Sequence, residues 1–301
     1  MKPLFASILL LLFVSCSSAQ KSAAEDSTAT TSETNSQVYT GTKVGTTKPV
    51  REMEELSPNT NENVAHEVNP QALEPLPNTD PKVANDAMAV DHAAWHTLVQ
   101  EHVSDDGTVD YEGFRKNRTA LRAYISRLGE DLPTEKWSKN EKLAYWMNAY
   151  NAMTVDLILR NLPLSSIKDI DKPWDQRLWK LGEKWYNLDD IEHQILRKMD
   201  EPRIHFGINC ASFSCPPLLN EAFTAAKVDA QLDFLATQFI NDGKRNTITP
   251  DRIEISKIFN WFSKDFKQGG DLIAYLNQYS KVTISENAKI RYRDYDWTLN
   301  N

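Results

Sequence analysis

The sequence lacks the spacings that announce a metal centre. Its histidines and cysteines form neither a Cys-x-x-Cys pair nor a His-Glu-x-x-His pair. A set built from His193, His205, Cys210 and Cys215 matches no recognised ligand pattern. It also lacks a basic stripe interleaved with aromatics, and its net charge is −8. Nothing therefore points to a nucleic-acid partner. The turn SDDGTVDY offers aspartates but fails as a calcium loop. With Gly107 at the required glycine, His102 falls at the first ligand position and Gly113 at the bidentate glutamate position. No internal repeat is present, and no cofactor is expected. Cysteine is scarce, with residues only at positions 16, 210 and 215.

The N-terminus carries a distinct signal. Lys2 precedes an apolar run, Leu4 to Val14, long enough for a secretory signal and too short for a permanent bilayer span. Phe13-Val14-Ser15-Cys16 resembles the end of a bacterial lipoprotein signal, although Phe13 replaces the usual leucine. On this reading residues 1–15 are a signal peptide and Cys16 is lipid-modified. The anchor would lie in the bacterial cell envelope, outside the cytoplasm, with the outer membrane as the expected partner. An ordinary signal peptide cut near Ala19 is the alternative. Residues 16–85 are rich in Ser, Thr, Asn, Pro and Glu and poor in large apolar residues. Such a composition buries too little surface to offset chain entropy, so it predicts a disordered tether. Outside the cytoplasm a disulfide between the remaining thiols is permitted.

From residue 86 to 301 the pattern changes to that of one folded domain. Val90, Ala94, Leu98 and Val103 share a helical face, and GFRKNRTALRAYISRL predicts a second amphipathic helix. Ser138 and Glu141 form a capping box before a long helix. Leu143, Trp146, Met147, Tyr150, Met153 and Leu157 line its apolar face, with Tyr145, Asn148 and Asp156 opposite and Asn151 at the border. RLWKLGEKWYNL predicts a short hairpin, and Asn187 can cap a helix over LDDIEHQILRKM. Arg203 to Asn209 reads as a buried strand and Glu221 to Ile240 as a helix. Two short strands or turns are expected around Ile248 and Ile253. Helices follow near Lys257–Phe266 and Asp271–Gln278, and a strand pair closes the chain. The expected class is α+β, a mostly helical single domain with a small β-sheet.

Chemically capable groups concentrate in HFGINCASFSCPP, residues 205–217. A cysteine nucleophile needs an imidazole to take its proton and a third group to orient that imidazole. The candidates are Cys210, then His193 or His205, then Asn148, Asn151 or Glu192. His193 comes from a separate element and is the better geometric choice. Three readings stand open for the cysteines: a reactive thiol at Cys210, a structural Cys210–Cys215 disulfide, or two inert buried thiols. Asn148 and Asn151 most simply cap neighbouring turns or satisfy buried backbone groups. The tryptophans at 146, 174, 179, 185 and 261 read chiefly as core.

The segments YWMNAYNAMTVDLIL, YNLDDIEHQILR, PRIHFGINCASFSCPPL and the terminal YDWTLN, in this order, resemble the domain-of-unknown-function family 547 (DUF547). The resemblance spans roughly residues 90–300. It implies no activity, but its bacterial members are often envelope lipoproteins. Two functions remain in view. One is an envelope hydrolase or acyl/amide transferase. The other is a non-catalytic lipoprotein that binds a small molecule, peptide or glycan.

Overall fold

The computed structural model describes residues 90–301. The signal peptide, Cys16 and the tether read from the sequence lie outside the described residues. Helix α1 (Ala93–His102) buries Trp95, Leu98 and Val99. Ala94, expected on that face, is exposed. The adjacent indole takes the interior position because it removes far more apolar area from water than a methyl group. At the following turn Gly107 has φ +80°, and a Cβ there would collide with the Cβ and Cα of Pro217. The single amphipathic helix predicted for residues 113–128 is two helices, α2 (Tyr111–Lys116) and α3 (Arg118–Leu128). Asp110 caps α2 through the Gly113 amide, and the chain breaks at Asn117, whose side-chain nitrogen contacts His102 Nε2 at 2.7 Å.

Helix α4 (Lys139–Asn161) begins at the predicted capping box of Ser138 and Glu141. It is buried on every side from Leu143 to Leu159. The polar face expected at Tyr145, Asn148 and Asp156 is therefore interior, and each polar group has a partner. Tyr145 donates to the Leu128 carbonyl at 2.5 Å. Asp156 is fully buried and accepts from Arg122, Arg160 and the Trp179 indole. This carboxylate ties α3 and α4 to the hairpin β1 (Trp179–Leu181) and β2 (Lys184–Tyr186), which is antiparallel as predicted.

Asn187 Oδ1 accepts from the Asp190 amide at 2.7 Å, the expected cap. The segment beyond it winds as a π-helix at Asp190–Ile195 and then a 3₁₀ turn at Leu196–Met199. The predicted strand at Arg203–Asn209 is instead a helical turn, α5 (Ile204–Gly207), followed by extended backbone. The expectation of a buried segment holds, since Ile204, His205, Phe206 and Gly207 are all buried, but the backbone is helical. Among the described residues it joins neither sheet. The side chain of Asn151 serves as its partner, donating to Gly207 O at 2.9 Å and accepting from Asn209 N at 2.9 Å. Asn148 does the same for Phe223, at 2.8 and 2.9 Å. That grip holds Phe223 out of helix, so α6 runs over Val228–Ile240 rather than from residue 221.

Strands β3 (Thr247–Ile248) and β4 (Arg252–Ile255) are antiparallel. Short helices α7 (Ile258–Trp261), α8 (Ser263–Phe266) and α9 (Leu272–Leu276) follow. The predicted terminal strand pair is one strand, β5 (Lys289–Tyr292), which joins β4 in parallel. The fold is α+β, largely helical with two small sheets. Among the described residues no helix is long and apolar enough to cross a membrane.

Candidate active site

The cysteine loop starts where α5 ends. Asn209 shapes it from three directions. Its backbone amide is held by Asn151, its Oδ1 accepts from Ala211 N at 2.8 Å, and its Nδ2 donates to Pro216 O at 2.8 Å. These bonds hold Ala211 at φ +60°, a left-handed conformation uncommon for a residue with a Cβ. The strained residue directly follows Cys210. The C-terminal segment straps the far side of the loop. Phe213 N donates to Thr298 O at 2.7 Å, and Asp296 N donates to Ser214 Oγ at 2.9 Å. Arg245 clasps the carbonyls of Phe213 and Cys215 at 2.7 and 2.9 Å.

The result is a thiol surrounded by donors. Cys210 Sγ lies 3.1 Å from Ser212 Oγ and 3.4 Å from Tyr295 Oη. The backbone amide of Cys210 donates to Cys215 Sγ at 3.1 Å. Both cysteines are free thiols; Cys215 is buried and Cys210 half-buried. Hydrogen bonds from the Cys215 thiol and the Ser212 and Tyr295 hydroxyls hold the Cys210 thiol below its ordinary value against the opposing effect of burial. Burial pushes the Cys215 thiol and the Tyr295 hydroxyl up, so both remain protonated donors. No imidazole nitrogen is among the hydrogen-bond partners of Cys210.

Cys210 opens onto a cleft of about 400 Å³. Glu192, His193 and His205 line the same cleft, as does Tyr150 from α4. Glu192 is buried and accepts from Tyr150 Oη at 3.1 Å. Burial raises its carboxyl to about 7. His205 stacks on Phe262 with ring centroids 3.9 Å apart, and its Nε2 lies 2.8 Å from Asp265 Oδ2. Burial lowers the His205 pKa despite that carboxylate. Arg197 neutralises Asp265 through bonds of 2.6 and 2.9 Å and also donates to His193 Nδ1 at 2.8 Å. A guanidinium only donates, so His193 Nδ1 accepts from Arg197, and His193 Nε2 faces Asp189 Oδ1 at 3.6 Å. Burial alone would raise Asp265, but the His205 and Arg197 hydrogen bonds keep its carboxyl well below the usual range.

The structure thus brings Cys210, Glu192, His193 and His205 to one cleft. Asn148 and Asn151 do not line it; Asn151 braces the backbone beside the lining residues Ile208 and Cys210, and Asn148 holds Phe223 away from the cleft. Ser212, Tyr295, Tyr150, Arg197 and Asp265 escaped sequence reasoning. Ser212 and Tyr295 lie inside segments whose family resemblance was legible, the cysteine loop and YDWTLN, which offered a signal. Asp265 had none, standing 60 residues from the histidine it binds. At the rim, Trp261, Trp297 and Tyr295 cluster with centroids 4.5–5.8 Å apart, and Trp174 meets Trp297 edge-on. Trp146 and Trp179 are core residues, while Trp261 and Trp185 are exposed. Among the described residues no three His, Cys, Asp or Glu side chains are grouped to hold a metal ion.

The fold and cleft define an α+β protein with a donor-cradled thiol in an aromatic-rimmed cleft. Residues 134–240 match the model of the family described as protein of unknown function, DUF547, and this supports the resemblance seen in the motifs. The matched span runs from ahead of α4 to the end of α6 and leaves Asp265 and Tyr295 outside it. No curated protein and no solved structure gives a match to the chain.

Proposed function

We propose that the protein is a cell-envelope lipoprotein whose folded domain is a cysteine-dependent hydrolase or acyl/amide transferase. The observation that carries the enzymatic reading is the Cys210 sulfur, which faces a cleft while hydroxyls and a second thiol stabilise its anionic form. Attack of Cys210 Sγ on an acyl carbon would move negative charge onto the acyl oxygen. The Ser212 and Tyr295 hydroxyls stand close enough to follow that charge. Glu192, with its carboxyl raised to about 7, can hold a proton for the leaving group near neutral pH. Water or an acceptor nucleophile would then release the acyl group from the sulfur.

The test is acylation of the folded protein by p-nitrophenyl acetate, followed by peptide mass spectrometry. One acetyl group on Cys210, lost in Cys210→Ser, is the expected result. Absence of acylation together with slow alkylation by iodoacetamide at neutral pH would favour the binding lipoprotein instead. The observation behind that second reading is the aromatic rim, where Trp261 is 46% exposed and a glycan or aromatic peptide could stack.

The membrane partner rests on Cys16 and its preceding apolar run. Cys16→Ser should move the protein from the membrane fraction to the soluble fraction. Wild type without lipid label, or a variant still membrane-bound, would refute the anchor.

A further inference from the structure

We propose that Cys210 and Cys215 form a working dithiol that exchanges with disulfide-containing substrates, Cys210 attacking and Cys215 resolving. The proposal uses the thiol of the reading above but not its acyl chemistry. The two sulfurs differ in the way such a pair requires. Both sulfurs belong to residues that line the cleft, but Cys210 is half-buried whereas Cys215 is only 5% exposed. The resolving sulfur is close at hand, since Cys215 Sγ lies 3.1 Å from the backbone nitrogen of Cys210 and its thiol is hydrogen-bonded to that of Cys210.

The intervening chain is prepared for ring closure. Cys215 N donates to Ser212 O at 3.0 Å, so the loop turns back on itself. Arg245 is anchored by Asp242 and holds the carbonyls of Phe213 and Cys215. Little chain freedom remains to be lost when the sulfurs join. Apart from its neighbours in the cradle, the buried thiol makes only a long contact with Ile208 O at 3.9 Å. A sulfur placed for packing alone would have no need of the polar cradle around its neighbour.

The exchange balances. The Cys210 thiolate attacks one sulfur of a substrate disulfide, which breaks the substrate S–S bond. The departing substrate thiolate takes up one proton from solvent. Cys215 then loses its proton and attacks Cys210 Sγ, forming the internal disulfide and expelling the second substrate sulfur, which leaves as a thiol. One disulfide becomes two thiols while the dithiol is oxidised by two electrons. Closure removes both the nucleophile and the Cys215 donor, so it also switches off the acyl chemistry.

The experiment uses the reduced full chain under native conditions with oxidised glutathione, an acid quench, and peptide mapping of each sulfur. Wild type should join Cys210 to Cys215, with glutathione on neither. Cys215→Ser should stall as a glutathione mixed disulfide on Cys210, and Cys210→Ser should leave Cys215 unmodified. A stable glutathione adduct on Cys210 of wild type, or both thiols still free after Cys215→Ser has reacted, overturns the proposal. Should Cys215→Ser fail to fold, the wild-type map decides alone: a native Cys210–Cys215 link supports the dithiol and its absence overturns it. Acetylation by p-nitrophenyl acetate is measured in parallel. Acylation without the link leaves the enzymatic reading standing and removes this one; the link without acylation does the reverse.

Discussion

At the scale of single residues, the properties of Cys210 depend on groups that bond to it rather than on a neighbouring imidazole. Tyr295→Phe removes one hydroxyl donor from the sulfur and leaves the ring in place. A hydrogen bond to a charged group contributes about 1.5–3 kcal/mol, so the midpoint of Cys210 alkylation should rise by about one to two pH units. Following iodoacetamide labelling against pH checks this; an unmoved midpoint removes Tyr295 from the cradle. The two histidines should respond differently to truncation. His205 is buried, stacked on Phe262 and bonded to Asp265, so His205→Ala should cost about 2–4 kcal/mol in urea unfolding. The His193 side chain is 34% exposed, and His193→Ala should cost under about 1 kcal/mol. Equal costs would contradict this division. Glu192 adds a pH signature. Its carboxyl rises from an ordinary 4.5 to about 7 in the folded state. Between those values the folded protein binds more protons than the unfolded chain. The contribution of Glu192 is therefore fully present below about pH 4.5 and is lost as pH rises through 7. Glu192→Gln should flatten the decline in stability over that window, measured as denaturant midpoint against pH.

At the scale of elements, asparagine side chains take over work that strands usually do. Asn148 and Asn151, on successive turns of α4, each meet a stretch of backbone with one donor and one acceptor. Asn277 grips Ile284 in the same way, at 2.9 and 2.8 Å. A fold with two small sheets has few strand edges to offer, so irregular buried backbone is satisfied by amides instead. Asn151→Ala would strand the Gly207 carbonyl and the Asn209 amide away from water. The expected cost is about 2–4 kcal/mol by denaturant titration, accompanied by a loss of selective labelling at Cys210 as the loop loosens. Unchanged stability would mean that the bracket is dispensable. The π-helix at Asp190–Ile195 belongs to this scale too. It sets Glu192 and His193 side by side at the cleft, and a π-turn is often found where a helix is bent to a site.

At the scale of the whole molecule, the cleft is assembled from distant parts of the chain. Tyr150 comes from α4, Glu192 and His193 from the π-helix, Cys210 from the loop after α5, and Trp261 and Phe262 from α7 and its C-terminal end. The last residues close the assembly, since the segment around Tyr295–Asn300 both straps the cysteine loop and supplies a hydroxyl to its sulfur. Asn300 also reaches Tyr111 Oη at 2.7 Å, which ties the chain end to α2. Removing residues 295–301 should therefore abolish fast Cys210 labelling, even if the α1–α4 core still melts cooperatively by circular dichroism. Undiminished labelling of that truncation would show that the strap is not part of the site.

The sequence by itself determined what depends on neighbours along the chain. The capping box at Ser138, the hairpin around Gly182, the Asn187 cap and the helical, α+β character were legible because they follow from local periodicity and local hydrogen bonds. The cysteine loop was legible as a site of interest because its residue types are costly to bury without a purpose. Tertiary structure alone decided the rest. Arg203–Asn209 reads as a buried strand, yet it is a helical turn that joins neither sheet among the described residues, and Asn151 supplies its backbone bonds. Asn148 and Asn151 look like site residues in one dimension and are braces in three. Asp265 and Tyr295 touch their partners across 60 and 85 residues, and no local pattern encodes a contact made only when the chain closes on itself.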